Sequence, residues 1–478
     1  MCLENSVVKS RAELLHWGRA DLDGLVGYTL ELQQEVHRLR DLAAQNSSNS
    51  SRPPSTDRPE KPKPKSLRKK SGRPSGGQPG HAGRTLQLSN NPRHLQIHPL
   101  RECGCGEDLS REPAVDFERR QVFDLPTLSL ECTEHRAEIK ECPSCGQSCR
   151  AEFPADVKAP VQYGKNFRAL LAYLYDAQEG ASRRIREMCQ EMFGSAVSEG
   201  TLQSARQEQH VALEPFEERL VEILPREAIL HADETSVPIN KVNHWLHVLC
   251  TPLLTFFSVQ ASRGKEAMQA IGIIPRFVGW LMHDFLASYL SFENCLHTFC
   301  KSHLLRELVF LHEQHQQRWA KDLYDLFLEM LKCAKDRKAR DAPFTQAELA
   351  RWGKQYKNVL RAGRQANPIT PEQRRKKRPK QSKEQNLLDR LEGCDACILA
   401  FLWDLRLPFT NNEAERPLRM IKVRVKISGC FRTLEGARRH ARIRSYISTL
   451  RKHGLPVLEN LRRALDGHPF LPQGSKTT

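Results

Sequence analysis

The sequence predicts a multidomain protein of mixed class, with an α/β core, a long helical insertion within it and smaller modules before it. Three observations carry that prediction. Short segments rich in Val, Ile, Leu, Phe and Thr follow one another after Pro225, namely AILHADETSVPI, HWLHVLCT and LTFFSVQ. Between about residues 305 and 405, three long stretches carry apolar residues at helical spacing. The first third of the chain changes composition twice, into a Ser/Pro/Lys-rich stretch and then into a cysteine cluster. A length of 478 residues is enough for several domains.

Charge narrows the partners. The chain has 74 Lys+Arg against 57 Asp+Glu, a formal net charge of +17. Such an excess favours an acidic polymer, because each neutralised phosphate releases condensed counterions. The apolar run ACILAFLW (396–403) is bounded by Asp395 and Asp404. It falls far short of the roughly 20 residues a spanning helix needs. The opening MCLENSVVKSRAELL lacks the continuous apolar stretch of a signal peptide. A cytoplasmic, nucleoid-associated protein with no membrane partner is expected, so the 15 cysteines read as thiols or metal ligands before disulfides.

Residues 1–44 form a helical N-terminus with a short coiled-coil pattern. Leu25, Leu32 and Leu39 recur at sevens, with Leu22 and Val36 at the alternate core positions. Gly24, Gly27 and Thr29 weaken the seam, and a helix packed on its own domain fits the pattern as well as self-association. Residues 45–94 read as a disordered basic linker, too poor in apolar side chains to offset the entropy of ordering. In it, Arg68, Lys69, Lys70 and Arg73 suit an arm that tracks phosphates. Residues 95–155 carry Cys103 and Cys105 as CxC and Cys142 and Cys145 as CPSCG. Two close thiolate pairs can meet at one tetrahedral, structural Zn²⁺. The intervening RRQVFDLPTLSLECTEHRAEIKEC reads as two strands that would bring them together. Residues 156–225 read as helices, with Gly194 as a stop and Ser198 as the next start. That helix-turn-helix pattern fits either DNA reading or plain helical packing.

Residues 226–430 hold the core. After the three strands come a helix, GKEAMQAIGI, and a fourth strand, GWLMHD. Asp233 lies on the first strand and Asp284, 51 residues later, on the fourth. That order, with acids at those two points, fits a ribonuclease-H-like fold. Cys300 and His303 form a CxxH pair after an expected fifth strand, where a structural role is the default. The helical insertion, about 305–405, includes a basic run of seven Lys and Arg from Arg374 to Lys383. Beyond it, Asn411 and Asn412 suit a helix N-terminus, with Glu413 and Glu415 in the first turn. Arg416, Arg419, Lys422 and Arg424 follow as a basic segment expected to hold a DNA backbone. Residues 431–478 read as a C-terminal helical tail.

The segments ADETS, HDFLASYL, CKSHLLREL and NNEAERPLRMIK resemble the transposase family of insertion sequence 66, a bacterial group with a DDE-type catalytic core. The resemblance runs from about Leu25 to about Leu465. It implies a zinc-ribbon-like module with Cys103, Cys105, Cys142 and Cys145 at the matching positions. It also places the third catalytic carboxylate on Glu415 rather than Glu413. Asp233, Asp284 and Glu415 would then hold two Mg²⁺ ions, whose preference is for oxygen ligands. The implied activity is Mg²⁺-dependent cleavage and strand transfer of DNA, with terminal inverted repeats and target DNA as partners. A homo-oligomer would bring two element ends together, and accessory proteins of the same element are implied. A catalytically inactive DNA-binding protein derived from such a transposase is one rival reading, and a nuclease of the same fold that cleaves without joining is the other.

Overall fold

The computed structural model describes residues 22–47, 49–50, 80, 86–369 and 381–474. Arg68, Lys69, Lys70 and Arg73 lie outside them, as does the basic run up to Lys380. The first helix, α1 (Leu22–Ala44), exposes Leu22, Val36 and Leu39 of the heptad seam. Its end is tied to the body through Asp41, which accepts hydrogen bonds from Lys383 at 2.7 Å and His315 at 3.0 Å.

The cysteine region corrects one expectation. Of the two strands expected between the cysteine pairs, one forms: β1 (Ile139–Glu141), at the end of that segment, pairs with β2 (Ser148–Arg150) across Cys142 and Cys145. Val115, Phe117, Val122, Phe123 and Leu125, earlier in the segment, all stand exposed. Over that stretch no layer faces the apolar side chains, and a pairing there gains too little to form.

Four helices follow: α2 (Lys165–Ala172), α3 (Ser182–Phe193), α4 (Glu199–Ala212) and α5 (Glu214–Ile223). The α3–α4 turn uses the expected punctuation. Gly194 closes α3 in the left-handed conformation, φ 64°. The Ser198 side chain caps α4 by accepting the Thr201 N–H at 3.0 Å. A π-helical turn, Tyr173–Ala177, extends α2.

A five-stranded mixed sheet comes next, built from β3 (Ile229–Ile239), β4 (Val242–Cys250), β5 (Thr255–Gln260), β6 (Trp280–His283) and β7 (Leu296–Phe299). Its order is β5-β4-β3-β6-β7, with β5, β4 and β3 antiparallel and β3, β6 and β7 parallel. Asn240 and Lys241 join β3 to β4 with both φ values positive, the two-residue turn that matches strand twist. Helix α6 (Lys265–Ile271) crosses from β5 towards β6. At the mouth of β6, a Cβ on Gly279 would lie 2.5 Å from the Ala228 carbonyl oxygen. Only glycine allows β6 to come that close to the approach of β3.

After β7 the chain leaves the sheet for the helical insertion: α8 (Lys301–His315), α9 (Arg318–Ala339), α10 (Gln346–Ala366), α11 (Lys383–Gly393) and α12 (Asp395–Trp403). The short α7 (Ala287–Leu290) precedes β7. The insertion has its own core, with Trp319, Phe327, Trp352 and Tyr356 buried among leucines. Its two ends are fastened together, since the Lys301 N–H donates to the Phe409 carbonyl at 3.1 Å.

The chain then returns as α13 (Asn412–Ser428), α14 (Leu434–Lys452) and α15 (Val457–Leu465). The segment read as a tail is part of the core. Ile443, Tyr446, Ile447 and Leu450 of α14 pack with Leu230, Ala232 and Leu249 of the sheet. Ser445 and Thr449 accept the free N–H groups of Phe257 and Thr255 on edge strand β5, at 2.8 and 3.1 Å. The helix thereby closes an edge that would otherwise template further pairing.

Candidate active site

Strand register brings the first two acids together. β3 and β6 pair in parallel with Ile229 opposite Trp280 and His231 opposite Met282. Continued two residues, that register sets Asp284, just past the end of β6, beside Asp233. Asp284 is half-buried and its Oδ1 accepts the Leu286 N–H at 2.9 Å, fixing the turn after the strand.

Helix α13 supplies the third acid, and one buried side chain aims it. Asn411 does not cap the helix with its side chain as the sequence suggested. Its amide instead spans to β3, where Oδ1 lies 2.8 Å from His231 Nδ1 and Nδ2 donates to the Ala232 carbonyl at 2.8 Å. The start of α13 is thus bolted to the strand residues just before Asp233. Glu415 follows one turn later, half-buried. Glu413 faces away, 4.0 Å from Lys452 of α14.

Electrostatics register this convergence. Burial pushes the Asp233 carboxyl well above its usual range, and the neighbouring charges of Glu234, Asp284 and Glu415 push it further. Carboxylates whose charges bear on a half-buried Asp233 are oxygen donors of the kind that hard divalent cations take. Glu234 lies beside them but is committed elsewhere. It accepts from the Tyr289 hydroxyl at 2.7 Å and pairs with Arg263 at 3.5 Å. Burial, with Asp284 nearby, raises its pKa to about 7.

The basic residues of α13 divide. Arg416, Arg419 and Lys422 are exposed. Lys422, two turns beyond Glu415, is close enough to Asp233 to feel its charge. Arg424 corrects the sequence reading. It is only 4% exposed, bonded to Glu179 at 3.3 Å and stacked over Tyr175 at 4.3 Å. It therefore cannot offer its charge to DNA. It belongs to a buried network in which Arg206 grips Asp176 with two 2.8 Å bonds and His440 adds a third contact at 2.7 Å. That network joins the π-turn after α2 to α4, α13 and α14.

The sequence did not place Cys300 and His303 at this site. Cys300 stands at the N-cap of α8 with its Sγ 3.6 Å from Glu415 Oε1, and it accepts the Asn411 N–H at 3.2 Å. Their CxxH spacing at the foot of the helix after β7 was the available signal, but the partner lies more than a hundred residues away in sequence.

The cysteine module is built differently. Cys103 accepts the Gly106 N–H and Cys142 the Gly146 N–H through their carbonyls, each at 2.8 Å. Gly106 and Gly146 turn with φ values of 94° and 70°. Each pair therefore forms a tight knuckle of the kind that holds a thiophilic ion. The four thiols do not gather into one set, however. Among the described residues, only Cys300, His303 and Glu415 bring three ligand atoms within 4.8 Å of one another.

No curated protein matches the chain. Residues 10–87 match a family of unknown function. The model of the transposase IS66 family matches residues 160–439, a span that covers more than half of the chain and contains β3, β6, α13 and all three acids. This chain therefore belongs to the transposase IS66 family.

Proposed function

We propose that the protein binds the terminal inverted repeats of a bacterial insertion sequence and catalyses Mg²⁺-dependent cleavage and strand transfer of DNA. The observation that supports this reading is that Asp233 lies beside Asp284 in the β3–β6 register and feels the charges of both Asp284 and Glu415. The strand order, three antiparallel strands followed by two parallel ones with acids on the first and fourth, supports a ribonuclease-H-like core. Asp233, Asp284 and Glu415 would hold two Mg²⁺ ions. Such ions, when bound, stabilise the attacking and leaving oxygens of an in-line phosphoryl displacement. Asn411 keeps Glu415 oriented towards the strand acids through its bonds to β3. Arg416, Arg419 and Lys422 line the exposed side of α13 and hold the phosphate backbone near the acids.

The remaining modules serve assembly and end recognition. The knuckles at Cys103/Cys105 and Cys142/Cys145, whose thiols stand apart in this structure, would have to close on one another to share one structural zinc ion. The exposed apolar seam of α1 supports a homo-oligomer, and accessory proteins of the same element complete the machinery. The chain acts in the cytoplasm, on the nucleoid. Cleavage and joining of the element's end sequences in Mg²⁺, with intact protein and Asp233→Ala, tests the reading. Joined products should fall by about 10³-fold or more in the variant, as expected when several kcal/mol of metal-borne stabilisation is lost. Products that persist at the intact rate would refute it.

A further inference from the structure

Glu415 belongs to two constellations. On one side stand the oxygen ligands Asp233 and Asp284. On the other stand Cys300 and His303, whose ligand atoms lie with a Glu415 oxygen inside a mutual 4.8 Å. The second set shares Glu415 with the first and takes its other two ligands from the helix after β7. Cys300 and His303 are three apart at the start of one helix, so they share a face. The insertion's closure fixes that helix against α13, through Lys301 N–H to Phe409 and Asn411 N–H to Cys300 Sγ. A separate observation points to a missing partner: Nδ1 of His303 is buried without a hydrogen bond among the described residues. Leaving such a nitrogen unpaired costs about 1–3 kcal/mol.

The donor chemistry differs from that of the three acids. Thiolate and imidazole select zinc-class ions, while magnesium takes oxygen alone. A cysteine, a histidine and a carboxylate give three protein ligands and leave a fourth position open. We propose that Cys300, His303 and Glu415 form a site for a thiophilic divalent cation of the zinc class, and that filling it withdraws Glu415 from Asp233 and Asp284 and silences cleavage. Binding exchanges the Cys300 thiol proton for the metal: the S–H bond breaks, the S–metal bond forms, and the proton leaves to solvent with no change of oxidation state. The silencing half rests on the proposed role of Glu415; the metal site does not.

The test uses the full chain with Cys103, Cys105, Cys142 and Cys145 changed to serine, so that the knuckles add no signal. Cobalt(II) is titrated in and thiolate-to-cobalt charge-transfer absorption is recorded. About one equivalent should bind with that band, zinc should displace it and excess magnesium should not. Cys300→Ser should abolish the band. His303→Gln should weaken cobalt binding by at least about 10-fold, the lower end of what even outer ligand partners contribute. Absence of the band, or a band that survives Cys300→Ser, overturns the site. Should Cys300→Ser fail to fold by circular dichroism, unchanged cobalt affinity in His303→Gln overturns it instead. In the second arm, zinc is added to Mg²⁺-supported cleavage by the intact chain and by His303→Gln. Inhibition of the intact chain that is weakened in His303→Gln in step with its cobalt affinity supports the coupling, and full activity with the site filled, or equal inhibition of both, overturns it. If the intact chain cuts no DNA without added zinc, the proposed function fails while the cobalt result still decides the site.

Discussion

The sheet and the cysteine module both gather ligand atoms, but over very different ranges of chain. In the module, each pair of thiols is brought together by one turn, because Gly106 and Gly146 adopt positive φ and the carbonyls of Cys103 and Cys142 close the loops. Nothing beyond the knuckle is needed, and the surrounding apolar side chains stay exposed. At the sheet, no two of the three acids are neighbours in sequence. Their meeting depends on the β3–β6 register, on the closure of the insertion between Lys301 and Phe409, and on Asn411 reaching back to β3. Local sites survive damage to the rest of the fold, while tertiary sites depend on it.

That contrast can be broken most severely at a buried charge. Arg424→Met removes the hydrogen-bonded cation of Glu179, leaving Arg444 at 3.7 Å, and should destabilise the folded core by about 1–3 kcal/mol, read as a shift in urea unfolding. Arg419→Ala, on the exposed side of the same helix, should leave the urea midpoint unchanged and weaken DNA binding with a shallower salt dependence. Equal stability of the two variants would mean that Arg424 is not committed to the interior.

Asn411→Ala comes next. It strands His231 Nδ1 and the Ala232 carbonyl, at a cost of about 1–3 kcal/mol. It should also raise the Mg²⁺ concentration needed for cleavage, because Glu415 loses its tether to the strand. A loss of stability with an unchanged Mg²⁺ requirement would make Asn411 a packing residue alone.

A smaller effect is expected from the local site. Changing Cys142 and Cys145 together to serine should lower protein-bound zinc by one equivalent, measured by elemental analysis. It should shift core unfolding by no more than about 0.5 kcal/mol, as for surface changes away from the packed interior. A large loss of core stability would show that the module is wired into the sheet.

The mildest prediction concerns α1. Burial pulls the His315 imidazole down, but its bonds to Asp41 and Glu384 outweigh that and raise its pKa above the ordinary 6.5. A raised histidine stabilises the folded contact fully below 6.5 and loses that contribution as pH climbs through the raised value. Hydrogen exchange in α1 should therefore quicken more with pH than base catalysis alone explains, and His315→Gln should remove that extra dependence.

Much of the core was legible from residue order. β-branched and aromatic runs marked β3, β4 and β5; GWLMHD marked β6; Gly194 and Ser198 marked the turn between α3 and α4. These features are local, set by side-chain fit to a pleated surface or by capping chemistry. Of the strands expected between the cysteine pairs only the short β1 formed, because the apolar stretch before it has no layer to pack on and leaves Phe117, Val122 and Phe123 exposed. Arg424 was misread because a basic residue in a basic segment looks exposed until Tyr175 and Glu179 are seen beneath it.

By itself, the sequence determined where the acids stand along the chain, which segments extend or coil, and how each cysteine pair turns. Tertiary structure alone decided that Cys300 and His303 come within 4.8 Å of Glu415, that Asn411 serves β3 rather than its own helix, and that Arg424 is interior. The physical reason is range. Propensity, capping and turn chemistry act over a few residues, whereas a buried hydrogen bond or ion pair is set by whichever distant group the packed core brings within reach.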